Sequence, residues 1–88
     1  MTIMGKRTVI GIHVTNRVKE IPKVQEVLTE FGCSIRTRLG LHQVASESCS
    51  PSGLILLEMC GPEEPIAEME RKMLAIEGVD LRKMVFEE

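Results

Sequence analysis

Hydrophobic and polar positions follow two different periods along the chain, and the same order of periods occurs twice. β-Branched residues predict a strand over residues 8–14. After a short polar loop, apolar residues at helical spacing predict a helix that ends before Gly32. A strand over residues 33–44 completes the first copy. Residues 53–86 repeat the sequence of strand, helix and strand.

The first helix has a clear apolar stripe and two boundary residues. Pro22 is tolerated in a first helical turn, so we expect the helix to begin at residues 19–21. Gly32 predicts a left-handed stop. The stripe that would face the core consists of Ile21, Val24, Leu28 and Phe31.

The second copy is the more apolar of the two. Residues 53–60 are almost all apolar, which predicts a central strand covered on both faces. Pro62 and Pro65 open the second helix, Gly78 ends it, and residues 79–86 form the last strand. The loop between the two copies is predicted at residues 45–52. The core stripe of the second helix consists of Ile66, Met69, Met73 and Ile76.

The resulting order βαββαβ is the ferredoxin-like arrangement, an α+β sandwich. Right-handed crossovers give a four-stranded antiparallel sheet of order 4-1-3-2 with both helices on one face. We expect a short N-terminal extension over residues 1–7 and a single domain over residues 8–88. The residues expected on the open face of the sheet are Val9, Gly11, His13, Leu54 and Leu56.

An open aliphatic face suggests that the chain associates with itself. The chain has 88 residues, is 43% hydrophobic and contains no Trp or Tyr, so its core is thin and aliphatic. A large exposed apolar patch on a monomer would promote aggregation. We therefore expect a homo-oligomer, a dimer or tetramer, that packs through the sheet face or a sheet edge. The alternative is a face shielded by long Arg and Lys stems.

Charge and cysteine content narrow the possible partners. A net charge of -2 argues against direct nucleic-acid binding, and the chain has no polybasic membrane patch, apolar span or secretory signal. Three cysteines without a C-x-x-C pair argue against a disulfide framework and favour a cytoplasmic location. There is also no spare segment for a helix-turn-helix. If the chain regulates transcription, we expect it to act through another protein or to bind DNA in an unrecognised way.

No pattern predicts catalysis. Ser46, Ser48, Cys49 and Ser50 lie near His42, but turn chemistry explains such a loop and no glycine-rich elbow accompanies it. The first strand–helix loop contains no phosphate-binding glycines. We expect a protein that is not an enzyme and needs no cofactor.

The two histidines suggest a metal site as an alternative. His13 and His42 are predicted near the same end of the same sheet face, about 10 Å apart. With Cys49 from the nearby loop they could bind nickel, copper or zinc between subunits. The other interpretation is that both are ordinary polar residues at strand ends.

Three arginines could bind an anion. Arg17 lies at the start of the first helix, where free backbone N–H groups favour negative charge. Arg36 and Arg38 project together from the second strand. They could hold a carboxylate or phosphate, or pair with Glu58 across the sheet.

Several short segments of the chain form a recognisable set. They are Ile10-Gly11-Ile12, Asn16-Arg17, residues 24–28, Phe31-Gly32, Ile35-Arg36, residues 38–42, residues 53–55 and residues 76–79. As a set they resemble the iron-only hydrogenase system regulator family, and the resemblance covers nearly the whole chain. It implies an ACT-like, ferredoxin-like fold, an oligomer and a regulatory role.

The resemblance also implies a place for a ligand. ACT-like domains usually hold a small effector, often an amino acid, between the first strand–helix loop and a neighbouring subunit. That loop here is Thr15, Asn16, Arg17 and Val18, and residues 38–42, from Arg38 to His42, form a possible wall. The loop lacks the glycine that many amino-acid-binding domains of this type have there.

The sequence therefore predicts a non-enzymatic regulatory or ligand-sensing module that acts as a homo-oligomer, with transcription or a hydrogenase system as its setting. A small-molecule effector and a protein partner are both expected. The alternatives are a metal sensor that uses His13, His42 and Cys49, and a structural protein-interaction domain.

Overall fold

A computed structural model of the chain describes residues 6–41 and 52–87. These residues form four strands, two α-helices and one turn of 3₁₀-helix. The elements are β1 (Lys6–Val14), α1 (Arg17–Glu30), the 3₁₀ turn (Gly32–Ser34), β2 (Ile35–Leu41), β3 (Gly53–Met59), α2 (Glu63–Leu74) and β4 (Val79–Glu87).

The strands form one antiparallel sheet of order β2-β3-β1-β4, which confirms the predicted ferredoxin-like α+β fold. β1 begins at Lys6, two residues before its predicted start, and Lys6 pairs with Glu87 at the end of β4. Both central strands, β1 and β3, are those that the crossover argument placed there.

The core lies between one face of the sheet and the two helices. Because β-strands alternate their side chains, every second residue of β1 and β3 enters it. The core is aliphatic, as expected from the composition. Its buried members are Ile10, Ile12, Val14, Val24, Leu28, Ile55, Leu57, Met59, Ile66, Met69 and Met73.

The predicted start of α1 is wrong by about half a turn. Asn16 caps the helix, so α1 begins at Arg17 and Pro22 lies inside it. Pro22 has no N–H to donate to the Val18 carbonyl. The side chain of Val18 is 89% exposed, so water can reach that end of the helix. The cap determines the start, and the proline is accommodated on the exposed side.

The predicted left-handed stop at Gly32 is also wrong. α1 ends at Glu30, and Gly32 continues into the 3₁₀ turn. Among the described residues, positive φ occurs only at Gly61 and Gly78, at 88° and 87°. Gly78 lies in the turn between α2 and β4, after a helix that has already ended at Leu74.

β2 differs from its predicted pattern because it contains a bulge between Ile35 and Thr37. Ile35 packs against the core, whereas Thr37 and Leu39 lie on the open face. Strict alternation along the predicted strand would place all three on one face, and the extra residue of the bulge moves Thr37 and Leu39 to the other face. The predicted end of this strand and most of the loop over residues 45–52 lie outside the described residues.

β3 is a central strand, as predicted, but the prediction that both of its faces are covered is wrong. Its burial alternates, with Ile55 and Leu57 buried and Leu54 37% exposed. Both helices pack on one side of the sheet, so the apolar residues on the other side of β3 remain accessible.

Candidate functional site

The loop from β1 to α1 holds the first part of the candidate ligand site. Asn16 is in an extended conformation, and its Oδ1 accepts a hydrogen bond from the Lys19 N–H at 3.2 Å. This side-chain bond satisfies one of the free donors in the first helical turn. Thr15 and Asn16 themselves are exposed.

The side chain of Glu20 holds this loop in place through hydrogen bonds. Its side chain is buried, and Oε1 accepts hydrogen bonds from the backbone N–H groups of Thr15 at 3.0 Å and Asn16 at 3.1 Å. Its Oε2 accepts another from the Thr15 hydroxyl at 3.0 Å. Burial raises the pKa of Glu20, but the hydrogen bonds from Asn16 and Thr15 outweigh it and hold the pKa below its ordinary value.

Gly78 ties the same loop to the turn before β4. Its carbonyl accepts hydrogen bonds from the Thr15 N–H at 3.1 Å and from the Thr15 hydroxyl at 3.2 Å. A Cβ at position 78 would overlap the Glu20 carboxylate. Gly78 is therefore required for its backbone conformation and for the space it leaves. We call Thr15, Asn16, Glu20 and Gly78 the loop junction.

The loop junction determines what the loop can offer to a ligand. The N–H groups of Thr15 and Asn16 already bind a carboxylate that belongs to the chain itself. The accessible surface next to them includes Val18, which is 89% exposed. The Arg17 backbone opens α1, and its side chain lies outside the described part of the structure. A ligand would contact the outer surface of a loop that is already held in place.

Arg38 does not lie beside this loop within one subunit. It pairs with Leu57, which in turn lies level with Ile10 across β1. Arg38 is therefore about 13 Å back along the strands from Val14 and about 10 Å across the sheet. Its side chain is exposed on the helix side of the edge strand β2. A site that uses both Arg38 and the loop would have to include two subunits.

The predicted metal ligands are only partly described. His13 is exposed on the open face, opposite Asp80. Strict alternation would place Arg38 and Gly40 on the same face as His42, but in the structure both lie on the helix side, opposite to His13. His42 and Cys49 are outside the described residues. Within residues 6–41 and 52–87, no group of three His, Cys, Asp or Glu side chains could hold a metal ion, and the metal hypothesis stays a prediction.

The open face of the sheet is apolar in its middle, as predicted. We define this open face by the side chains on the side away from the helices. Gly11 lies near its centre, between Leu56 on β3 and Arg82 on β4. The large apolar side chains of the face include Leu39 (51% exposed), Leu54 (37%), Met84 (57%) and Phe86 (52%), together with the half-buried Val9 and Leu56.

Charged pairs lie at both ends of the open face. At one end, Arg7 Nε is 3.2 Å from Glu58 Oε2. The predicted pairing of Glu58 with Arg36 or Arg38 is therefore wrong, because the β2 register places Thr37 opposite Glu58. At the other end, Arg82 and Asp80 are also 3.2 Å apart.

The pair at the second end affects the acidity of Asp80. Hydrogen bonds from the Arg82 guanidinium hold the pKa of Asp80 below its ordinary value, against a smaller opposing effect of burial. The electrostatic interaction with His13, which lies opposite on β1, also lowers the pKa of Asp80. Asp80 is therefore a stable anion on the open face.

A groove on the helix side carries a second group of charges. It has a volume of about 140 Å³ and lies between α2 and strands β1 and β4. Lys6 contacts Glu63 at 2.8 Å, and Lys83 contacts Glu70 at 3.2 Å. The hydrogen bond and charge of Glu63 raise the pKa of Lys6, while Lys6 lowers that of Glu63. The charges around the groove thus neutralise each other in pairs.

Sequence reasoning missed two residues of the loop junction. Glu20 follows the cap Asn16 by four residues, one more than in the usual capping box, so the motif was not recognised. Gly78 was interpreted only as the end of a helix. The tie between Thr15 and Gly78 spans 63 residues of sequence, and no local pattern reports it.

Within the described residues, neither helix is long and apolar enough to cross a membrane. No protein-family model matches the chain, and no curated protein matches its sequence. Solved structures do resemble it. An uncharacterized protein from Thermotoga maritima has a TM-score of 0.76 and 24% identity, over 92% of this chain and 98% of that chain.

Two further structures share the fold at lower identity. One is CPII, a nitrogen regulatory PII-like protein from Thiomonas intermedia K12 bound to ADP, AMP and bicarbonate, with a TM-score of 0.53 and 15% identity over 96% of this chain and 98% of that chain. The other is a dimeric ferredoxin-like protein from an uncultured marine organism, with a TM-score of 0.53 and 12% identity over 94% of both chains. At these identities the likeness establishes the fold.

Proposed function

We propose that this chain is a non-enzymatic regulatory or ligand-sensing module that works as a homo-oligomer. The observation that carries the proposal is the loop junction. Thr15 hydrogen-bonds both Glu20 and Gly78, so the β1–α1 loop is rigid while Val18 and Asn16 remain exposed beside it. A rigid loop that presents accessible groups can bind a ligand at a low entropic cost.

The neighbouring folds support a sensing role. The PII-like protein holds ADP, AMP and bicarbonate on the same arrangement of strands and helices, and the marine protein is a dimer. Small adenine nucleotides and bicarbonate are therefore sensible first probes, next to the amino acids that the ACT-like resemblance implies.

The fold also offers a route from the loop to a subunit contact. On β1 and β4, the open-face residues nearest to the loop junction are His13 and Asp80, which pair with each other. A ligand that binds the loop differently in two arrangements of subunits would shift the balance between them. No covalent chemistry is required.

The more specific role that we propose is regulation of an iron-only hydrogenase system through a protein partner in the cytoplasm. In a host that carries both, removal of the chain should change hydrogenase transcript levels or activity, and the intact chain should restore them. If the deletion leaves both unchanged, the hydrogenase assignment is wrong while the sensing role stands.

The sensing role is tested by thermal unfolding with ADP, AMP, bicarbonate and the common amino acids. A ligand at a hundred times its Kd stabilises the folded state by about 2.7 kcal/mol, which raises the Tm of a domain this size by roughly 10–20 °C. Arg17→Ala should abolish the shift, and Arg36→Ala, at the far end of β2, should keep it.

Two results would count against this proposal. If none of the probes shifts the Tm, the loop does not bind these ligand classes. If Arg36→Ala removes a shift as fully as Arg17→Ala does, the ligand binds elsewhere on the chain. Light scattering at tens of micromolar tests the oligomer separately.

A further inference from the structure

The open face of the sheet has a hollow at its centre. Gly11 lies in the middle of the central strand β1, and a Cβ placed there would meet Leu56 Cδ2 at 3.6 Å and the Arg82 carbonyl at 4.0 Å. These are ordinary contact distances, so the fold itself tolerates a side chain at this position. In a strand, alanine is also favoured over glycine. No contact within the described residues therefore requires glycine at position 11. A strand glycine is also found where another surface approaches the backbone closely, and this explanation fits Gly11.

Apolar side chains border the hollow on most sides, and Arg82, level with Gly11 on β4, borders it on the remaining one. Leu39 and Met84 lie on the two outer strands, β2 and β4, and are 51% and 57% exposed. Leu56 and Val9 flank the hollow on the central strands. Because Gly11 carries no side chain, an exposed apolar side chain of an identical face can lie over it.

The charges of the open face also match those of a second copy. Arg7 and Glu58 pair at one end, and Asp80 at the other end pairs with Arg82, which lies level with Gly11 on the outer strand β4. Each end carries both signs, so two copies meet without net repulsion. A strongly acidic or basic partner would find no excess of opposite charge on this surface.

We infer that the open face is the contact surface between two copies of this chain, related by a two-fold axis that lies in the interface plane beside the Gly11 hollow, so that an apolar side chain of each copy lies over the hollow of the other. This inference rests on the self-association in the proposed function and adds the surface that carries it. Arg7, Glu58, Asp80 and Arg82 then lie at the polar rim of an interface whose middle is apolar.

The size of the face sets the expected strength. Four strands about 4.8 Å apart, with about seven residues each, give a flat footprint of about 450 Å² per copy. Even when the area added by the side chains is included, the surface buried per copy lies at the lower end of the range for specific interfaces. We therefore expect a dimer that dissociates in the micromolar range rather than a permanent one.

Two matched pairs of variants test the surface by analytical ultracentrifugation, over a roughly hundredfold range centred on tens of micromolar. Leu39→Lys on the open face should weaken the dimer roughly tenfold or more, because each copy brings a charge into the apolar contact. Leu74→Lys, on α2 and 53% exposed against 51%, should leave the Kd unchanged.

The second pair tests the hollow. Gly11→Ala and Gly40→Ala both replace strand glycines that lack positive φ, and a Cβ at Gly40 meets nothing within 4 Å. Both should keep or raise the Tm at the low end of the concentration range. Only Gly11→Ala should weaken the dimer, by several-fold, because Gly40 lies on the helix side.

The outcomes separate this inference from the proposed function. A dimer that is unaffected by Leu39→Lys and Gly11→Ala overturns the surface but leaves self-association standing. Equal weakening by Leu39→Lys and Leu74→Lys also overturns it. A monomer throughout the range overturns both the surface and the oligomer, while the ligand-induced Tm shift still decides the sensing role.

Discussion

At the scale of single residues, one buried carboxylate does much of the organising. Glu20 binds two backbone N–H groups and one hydroxyl, all from the loop that precedes its own helix. A buried anion is tolerated when its oxygens are satisfied in this way. These hydrogen bonds hold the loop of Thr15 and Asn16 in place at the start of α1.

The lowered pKa of Glu20 predicts a pH dependence of stability. The folded state favours the ionised carboxylate, so its contribution is present above pH 4.5 and is lost as the pH falls through the lower folded-state pKa. We expect Glu20→Gln to lower the Tm by several degrees at neutral pH.

The difference in Tm between wild type and Glu20→Gln should narrow as the pH falls from 4.5, where Glu20 of the unfolded chain takes up a proton, through the lower folded-state pKa, where folded Glu20 is protonated too. Glu26→Gln, exposed on the same helix, should differ little from wild type at either pH. Thermal melts across this range measure the effect. A difference that persists unchanged into acid would contradict the assigned role of the charge.

Gly78 and Gly61 form a natural comparison, since their φ angles are 87° and 88°. Gly61→Ala should lower the free energy of unfolding by about 1 kcal/mol, because only backbone strain opposes it. Gly78→Ala should cost about 3 kcal/mol, since the new methyl group also displaces the Glu20 carboxylate. Urea denaturation measures both. Equal costs would show that the space at Gly78 is unimportant.

At the scale of elements, the ends of α1 and β2 are set by contacts rather than by propensity. Asn16 begins α1 well before Pro22, and the bulge after Ile35 turns the rest of β2 over. The bulge matters for the proposed subunit contact because it places Leu39 on the open face. Without it, the apolar residues of β2 would face the helices.

The position of Pro22 inside α1 gives an element-scale prediction. Pro22→Ala restores a donor for the Val18 carbonyl and should raise the free energy of unfolding by about 1–2 kcal/mol. Pro65→Ala is the control, because Pro65 lies in the first turn of α2, where an N–H has no helical partner. It should change stability by no more than about 0.5 kcal/mol. If Pro22→Ala destabilises the protein, α1 does not begin at Arg17.

At the scale of the whole molecule, the sheet has two unlike faces. One face packs against α1 and α2, and both halves of the internal repeat contribute aliphatic residues to the core between them. The open face is apolar only in its middle and has an ion pair at each end. The loop junction lies at one end of the sheet, where Thr15 directly follows β1 and Gly78 directly precedes β4. The proposed ligand loop and the proposed contact between subunits therefore share β1 and β4.

The sequence alone determined the βαββαβ order, the sheet order and the residues of the core. These follow from local periodicity and from the handedness of crossovers, which act through near neighbours. The apolar centre of the open face also followed from alternation in β1 and β3. For the candidate site, the sequence identified the loop of Thr15 and Asn16 but not what holds it.

Only the tertiary structure decided the remaining features. The bond between Thr15 and Gly78, the pairing of Arg7 with Glu58 and the separation of Arg38 from the loop all depend on strand register. Register is set when distant segments pack together, so residues far apart in sequence meet without any local signal. The repeat specifies which elements form, and their packing specifies which residues can act together.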